Sequence, residues 1–432
     1  MKKVLIITYY WPPSGGAGVQ RWLKFTKYLP QFGIEPIILT VDPEYASYPQ
    51  RDTSLINEIS PDLNIVYAKS ATSIFTAYKK ITGKNEVPYG GFVNESNPRL
   101  IEKIFRFTRG NFFLPDARRG WNRYALKAAT EIIENNIIDI VVTTSPPHST
   151  QLVGRKLKKK LGIKWIADLR DPWTEIYYSD KIFQTLAAKW LNGHMESLVL
   201  NGADRVIATC NTTRNVFRSK LSRRQSREKV ITITNGFDTD DFSYDKIIPA
   251  KFILTYLGTL AGNYDIEILI KALDRFNPAE KTDITLLFIG KTDDKIIAGL
   301  REKGKVSIEL IPYVDHRNAM EYLARSAALL LVIPSDRKTN EMIPGKLFEY
   351  LASKRPVIAF GPKESDAGII LNETGGGKIF NKNEVNDLVD YLFKLYKNFK
   401  KGLFETDPSG IDQYSRKNLS EKYAEIINAI EN

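Results

Sequence analysis

Apolar runs of strand length alternate with helix-length amphipathic segments along this 432-residue chain, and the alternation predicts an α/β protein of two doubly wound, Rossmann-like domains. Three observations carry the prediction. The runs are continuous Val/Ile/Leu stretches, as parallel strands buried on both faces require. The length exceeds what one core ordinarily serves, so two domains of about 200 residues each follow. The pattern also restarts after a polar, proline-containing segment at 238–250 (DTDDFSYDKIIPA), which separates a first domain over 1–240 from a second over 251–412.

In the first domain, 4–10 (VLIITYY) reads as a buried strand and 18–29 as a helix with Val19, Trp22, Leu23 and Leu29 on one broad face. Further strands are predicted at 36–41, 64–68, 138–144, 164–168, 205–209 and 230–234. The stretch 72–115, rich in Phe, Tyr and Gly, is too long for a plain connection and predicts short helices with a functional role. Strands resume at 253–257, 284–289, 306–311, 328–333 and 357–360. A last amphipathic helix, within 415–432, follows a loop with Pro408 and Gly410.

Composition narrows the class. Apolar content of 43% and aromatic content of 11% are globular values. No apolar run reaches ten residues, so neither a membrane span nor a signal peptide is expected. The single cysteine, Cys210, excludes an internal disulfide and points to a reducing cytoplasm. A net charge of +12 suits nucleic acid, an anionic membrane surface or anionic small molecules, without choosing among them. At 105–114 (FRFTRGNFFL), arginines beside phenylalanines fit a peripheral contact with anionic headgroups on the inner face of a membrane; a solvated basic surface over buried Phe is the other reading.

The most informative stretch is 341–351, EMIPGKLFEYL, between two strand-length runs. Pro344 suits a first helical turn, and Gly345 lets backbone or ligand approach closely. The amides of that turn lie at the carboxyl end of a strand, where open α/β sheets bind anions. Glu341 and Glu349 flank it, and carboxylates accept hydrogen bonds from vicinal hydroxyls. A nucleotide-sugar carries hydroxyls on both sides of its diphosphate. A solvated Glu341, and a Glu349 paired with Lys346, is the alternative.

EMIPGKLFEYLASKRPVIAF resembles the donor-binding signature of family 4 retaining glycosyltransferases, and VLIITYYWPPSGGAGVQRW, ADLRDPW and ITNGFD follow that family's order. The resemblance implies the GT-B fold, two Rossmann-like domains facing a central cleft, with the terminal helix crossing back onto the first. It implies a nucleotide-diphosphate sugar as donor, a saccharide or lipid-linked acceptor, no separate cofactor and no metal. Glu349 would bind ribose, Glu341 the donor sugar, and Arg337, Gly345 and Lys346 the diphosphate.

Other motifs take their place around that site. Gly15 and Gly16, in SGGAGVQR, permit a strand-to-helix turn tight enough to approach phosphate, although Arg21 stands where a dinucleotide fingerprint has its third glycine. In the family, this loop faces the donor diphosphate. Asp168, Arg170 and Asp171 end a strand and are candidates for the acceptor side, or an ion-paired turn. In related enzymes a histidine on a comparable loop lies near the transferred sugar, which makes His148, in SPPHS, the candidate for that place, a surface or hydrogen-bonded histidine being the other reading; Gly258 begins a second glycine turn. Family members often follow that turn with a basic residue; here Asn263 and Tyr264 stand instead, leaving Arg337, Lys338 and Lys346 to supply positive charge. The Asp238-Thr239-Asp240 triplet resembles a metal-binding pattern but reads as polar linker.

The sequence thus points to a metal-independent retaining transferase of hexosyl type, acting in cell-surface polysaccharide or lipid-linked glycan assembly, without nucleic acid. Two rivals remain. One is a nucleotide-cofactor oxidoreductase, resting on the first glycine turn and Asp42. The other is a non-catalytic basic protein binding membrane or nucleic acid.

Overall fold

The computed structural model describes residues 1–71, 100–176, 182–242, 248–261, 264–275, 283–304, 306–333 and 343–430. The chain divides into two compact units, Met1–Thr234 with Lys417–Asn432, and Asn235–Arg416.

Unit 1 runs β1 (Lys2–Ile7), α1 (Ala17–Tyr28), β2 (Ile34–Val41), β3 (Asn64–Ala68), α2 (Leu100–Phe112), α3 (Asn122–Asn135), β4 (Ile140–Ser145), α4 (Thr150–Leu161), β5 (Lys164–Leu169), α5 (Leu186–Gly202), β6 (Arg205–Ala208), α6 (Asn211–Ser219) and β7 (Val230–Thr232). Its strands form one parallel sheet in the order β3-β2-β1-β4-β5-β6-β7. Because helices cover both faces, the central strands are buried throughout: every residue of β4 is buried. Glycines end the helices where the chain must turn back. Gly162 closes α4 at φ 72°, after Lys158, Lys159 and Lys160 have placed positive charge at the helix's negative end.

Unit 2 runs β8 (Phe252–Leu257), α7 (Glu267–Asp274), β9 (Ile284–Ile289), α8 (Asp294–Gly299), β10 (Ser307–Ile311), α9 (His316–Ala324), β11 (Ala328–Val332), α10 (Lys346–Ala352), β12 (Val357–Phe360), α11 (Asp366–Thr374), β13 (Gly377–Phe380) and α12 (Val385–Lys400). The sheet is again parallel, in the order β10-β9-β8-β11-β12-β13. Strand β13 lies outside the sequence expectation. Its preceding glycine run looks like a loop, yet a side chain at Gly376 would overlap Leu351 and one at Gly377 would overlap the Val357 carbonyl. The glycines are there because β13 packs this closely.

Helix α13 (Arg416–Asn428) completes the core of unit 1. Leu419, Tyr423, Ala424 and Ile427 pack with Val4, Ile6, Trp22 and Phe25, and the Tyr423 ring lies 5.2 Å from that of Trp22. Burial of each large side chain here contributes roughly 1.5–3 kcal/mol. No described helix is long and apolar enough to cross a membrane.

Both sheets reverse their winding at one place. In unit 1 the chain leaves β1 toward β2 on one side and β4 lies on the other; in unit 2 the same holds for β8, with β9 and β11. Loops at the carboxyl ends of such strand pairs diverge and leave a crevice, which is where this architecture receives ligands.

Candidate active site

In unit 2 the loop after β8 and the helix after β11 meet at that reversal. Helix α10 buries Leu347, Phe348, Tyr350 and Leu351, leaving Lys346, Glu349 and Ala352, at three-residue spacing, on its partly exposed face. Two side chains one turn apart fasten α10 to the end of β8. Lys346 Nζ donates to the Leu257 carbonyl at 2.9 Å, and the Leu257 amide donates to the Tyr350 hydroxyl at 3.0 Å. Both main-chain groups of one strand-end residue are therefore held by one helix.

This geometry carries Lys346 to Gly258. That glycine has φ 110°, a conformation side chains disfavour, and a Cβ there would sit 3.7 Å from Lys346 Nζ. The ammonium also lies 3.9 Å from the centroid of the Tyr256 ring. Burial lowers the Lys346 pKa from 10.5 to about 7, against an opposing pull from Glu349. A cation so poorly hydrated is a strong partner for a phosphate, because few waters must be displaced.

The first turn of α10 offers fewer open amides than its sequence suggests. Gly345 has a helical φ of −55°, the Leu347 amide donates to Pro344 at 2.9 Å and the Phe348 amide donates to Gly345 at 3.3 Å. Glycine at 345 is thus not required by backbone conformation. Of the other donor-side candidates, Glu341 and Arg337, with Lys338 and Asn263, lie outside the described residues.

In unit 1 the glycine loop follows β1. Gly16 precedes α1 at φ 96° with open space around it, so its lack of a side chain is demanded by the backbone. The amide of Gly15 is already bonded to the Gln50 carbonyl at 3.1 Å, which removes it as a phosphate donor and makes its role a turn. Gly18, which the sequence reading passed over, is the close approach: a Cβ there would lie 2.9 Å from Arg170 Nη2. Arg170 ties the end of β4 to the start of α1, donating from Nε to the Ser145 carbonyl at 3.0 Å and from Nη1 to the Gly18 carbonyl.

Asp168 corrects the expectation of an acceptor-side group. It is fully buried, and Arg21 Nε and Nη2 (both 3.2 Å), Trp22 Nε1 (2.8 Å) and Thr144 Oγ1 (3.3 Å) all donate to its carboxylate. Arg21 is buried too and donates further to the Thr234 and Ile233 carbonyls. The pair pins α1 to the sheet through a buried ion pair. Asp42, the rival reading's ribose acid, accepts from the Glu44 amide at 3.0 Å in a local turn.

His148 follows β4 on a buried loop. Its ring stacks on Trp173 (5.2 Å, 17°), and among the described residues neither ring nitrogen has a hydrogen-bond partner. Burial lowers its pKa; Asp171 and Asp116 oppose this and Arg170 adds to it. A neutral imidazole results, able to donate from one nitrogen and accept at the other. Asp116 carried no sequence signal. It accepts from the Ser149 amide (2.7 Å) and hydroxyl (3.0 Å), clamping the 115–119 segment to the start of α4.

In the aspartate-rich segment, Asp241 meets His316 at 3.1 Å, and Asp238 accepts from the Asp240 amide. Among the described residues no group of three His, Cys, Asp or Glu side chains is placed to hold a metal ion.

Comparison with known proteins supplies the class. Residues 239–402 match the family model described as glycosyl transferases group 1, and residues 90–241 match glycosyltransferase family 4. No curated protein matches the chain. Similar solved structures include Anabaena HepE in complex with UDP and glucose (13% identity, all of both chains, TM-score 0.60). WaaG, a glycosyltransferase involved in lipopolysaccharide biosynthesis, is similar at 13% identity over 99% of this chain and 100% of its own (TM-score 0.57). A putative UDP-N-acetylglucosamine 2-epimerase from Listeria monocytogenes shares the fold at 12% identity, over 99% and 96% (TM-score 0.54). The fold is GT-B, and the two models, matched back to back, define a glycosyltransferase of that fold.

Proposed function

We propose that this chain is a metal-independent retaining hexosyltransferase that moves a sugar from a nucleotide-diphosphate donor to a hydroxyl of a saccharide or lipid-linked acceptor. The observation that supports it most is the placement of Lys346. Helix α10 sets the Lys346 ammonium against the Gly258 turn, with Glu349 one turn along on the same face.

In this reading the diphosphate lies against Lys346 and Gly258, and the Glu349 carboxylate accepts from ribose hydroxyls. Charge gathers on the departing diphosphate as the glycosidic bond breaks, and a fixed ammonium stabilises it without reorganising. No protein nucleophile is invoked: the acceptor proton passes to the leaving phosphate on the same face of the sugar. Glu341 would hold the donor sugar and Arg337 the diphosphate. On unit 1, the neutral His148 and Asp171 are the candidates for hydrogen bonds to sugar hydroxyls. Polysaccharide or lipid-linked glycan assembly is the setting that suits these substrates.

The test is a panel of nucleotide-sugars scored by thermal shift and by slow donor hydrolysis. One base and one sugar should stabilise the wild type, and Glu349→Ala should abolish that stabilisation while the apo protein melts as before. Equal donor stabilisation of wild type and variant would exclude this site.

A further inference from the structure

Helix α2 and the start of α5 build a surface on unit 1 that inverts the usual distribution of residues. Arg106 and Arg109 of α2 are buried, whereas Ile104, Phe107 and Phe112 are exposed. The segment leading into α5 adds Phe183, exposed, and the first turns of α5 add Leu186 at 85% and Trp190 at 70%. Of the six tryptophans, the other five are at most 3% exposed. Large apolar side chains in one place at this exposure mark a surface built for a partner.

The two rows are fixed side by side. Asn111 Nδ2 donates to the carbonyls of Phe107 (2.8 Å) and Phe183 (3.0 Å), and its Oδ1 accepts from the Thr185 amide at 2.8 Å. Gln184 adds a bond to the Gly110 carbonyl at 3.2 Å, and Gly110 has no room for a side chain against Ile182. The exposure is therefore enforced by a hydrogen-bonded junction.

Charge identifies the partner. Among the described side chains of 100–119 and 182–194, the exposed ions Lys103, Arg119 and Lys189 are all basic. Arg119 donates to the Phe112 carbonyl at 3.4 Å, which sets a guanidinium beside the apolar row. Asp116, half-buried, is turned inward onto Ser149. A second copy of this chain would bring like charges face to face. We infer that this surface seats in an anionic lipid bilayer, with Trp190, Phe107 and Leu186 at the acyl boundary and the three cations among headgroup phosphates. Indole and benzyl rings favour that depth, and long basic side chains reach outward from it.

The full-length protein should co-sediment with vesicles containing about 30% phosphatidylglycerol and bind pure phosphatidylcholine at least about tenfold more weakly. Trp190 emission should shift to the blue and be quenched by brominated acyl chains. Phe107→Ser with Trp190→Ser, and separately Lys103→Glu with Lys189→Glu, should each lower partitioning about tenfold or more, with melting and nucleotide-diphosphate affinity unchanged. The inference fails if wild type ignores anionic vesicles or if either double variant binds them as well as wild type. It fails also if Trp190 stays unquenched, or if the surface proves to mediate dimerisation that Trp190→Ser abolishes. Retained nucleotide affinity in the variants separates this inference from the proposed function.

Discussion

Lys346→Met makes the sharpest prediction, because stability and binding should move in opposite directions. The unfolded lysine titrates at 10.5 and the folded one at about 7, so the folded state holds this proton less tightly. Between those values the unfolded chain binds more protons, and stability rises with pH through the window from about 7 to 10.5. Below pH 7 the folded protein carries the full penalty of a desolvated ammonium, with a ceiling of about 5 kcal/mol at about 1.4 kcal/mol per pKa unit. The substitution also loses the bond to Leu257 and the contact with the Tyr256 ring, together about 3 kcal/mol. A net gain of at most about 2 kcal/mol at pH 6 remains, raising the melting temperature by at most roughly 4–8 °C for a unit of this size. Nucleoside diphosphate should bind about 30-fold more weakly, the equivalent of about 2 kcal/mol for one ammonium–phosphate contact in a partly screened site. Calorimetric melting at pH 6 and titration with nucleoside diphosphate read both numbers. Destabilisation by more than about 1 kcal/mol, or affinity within about threefold of wild type, would refute the reasoning.

Three further outcomes follow from the same geometry. Wild-type affinity for nucleoside diphosphate should fall between pH 6 and pH 8 as Lys346 loses its proton, a slope that titration of Lys346→Met should flatten. His148, whose folded pKa lies below 6.5, should become a liability in acid: its protonation favours the unfolded chain, so stability falls as pH drops below about 6.5. His148→Phe should flatten that part of the melting profile and lower kcat by about 10²-fold. Asp168→Asn should lower stability by about 3–5 kcal/mol by stranding Arg21 in the core, and its loss of activity should track unfolding in a denaturation curve.

Much of the fold was legible because parallel strands buried on both faces write themselves as unbroken apolar runs, as β4, β9 and β11 do. β13 was hidden because its glycines serve a close packing set by Leu351 and Val357, residues that only the folded chain brings near. The site divides in the same way. That Lys346 and Glu349 share a face was legible because the spacing within one helix fixes it. Asp168 misled, since an aspartate at a strand's carboxyl end looks the same whether it awaits a substrate or answers an arginine 147 residues away. Gly18 and Asp116 were silent for the same reason, their partners Arg170 and Ser149 being distant in sequence. The phenylalanines and arginines of α2 left two readings open, and the Asn111 junction decided which of them face outward.

The most direct test is a crystal structure with the nucleoside diphosphate that the thermal-shift panel selects. Its phosphates should lie within hydrogen-bond reach of Lys346 Nζ beside Gly258, with the ribose against Glu349. Density for the nucleotide at any other place on unit 2, with Lys346 still bonded to Leu257 and touching no phosphate, would contradict the account.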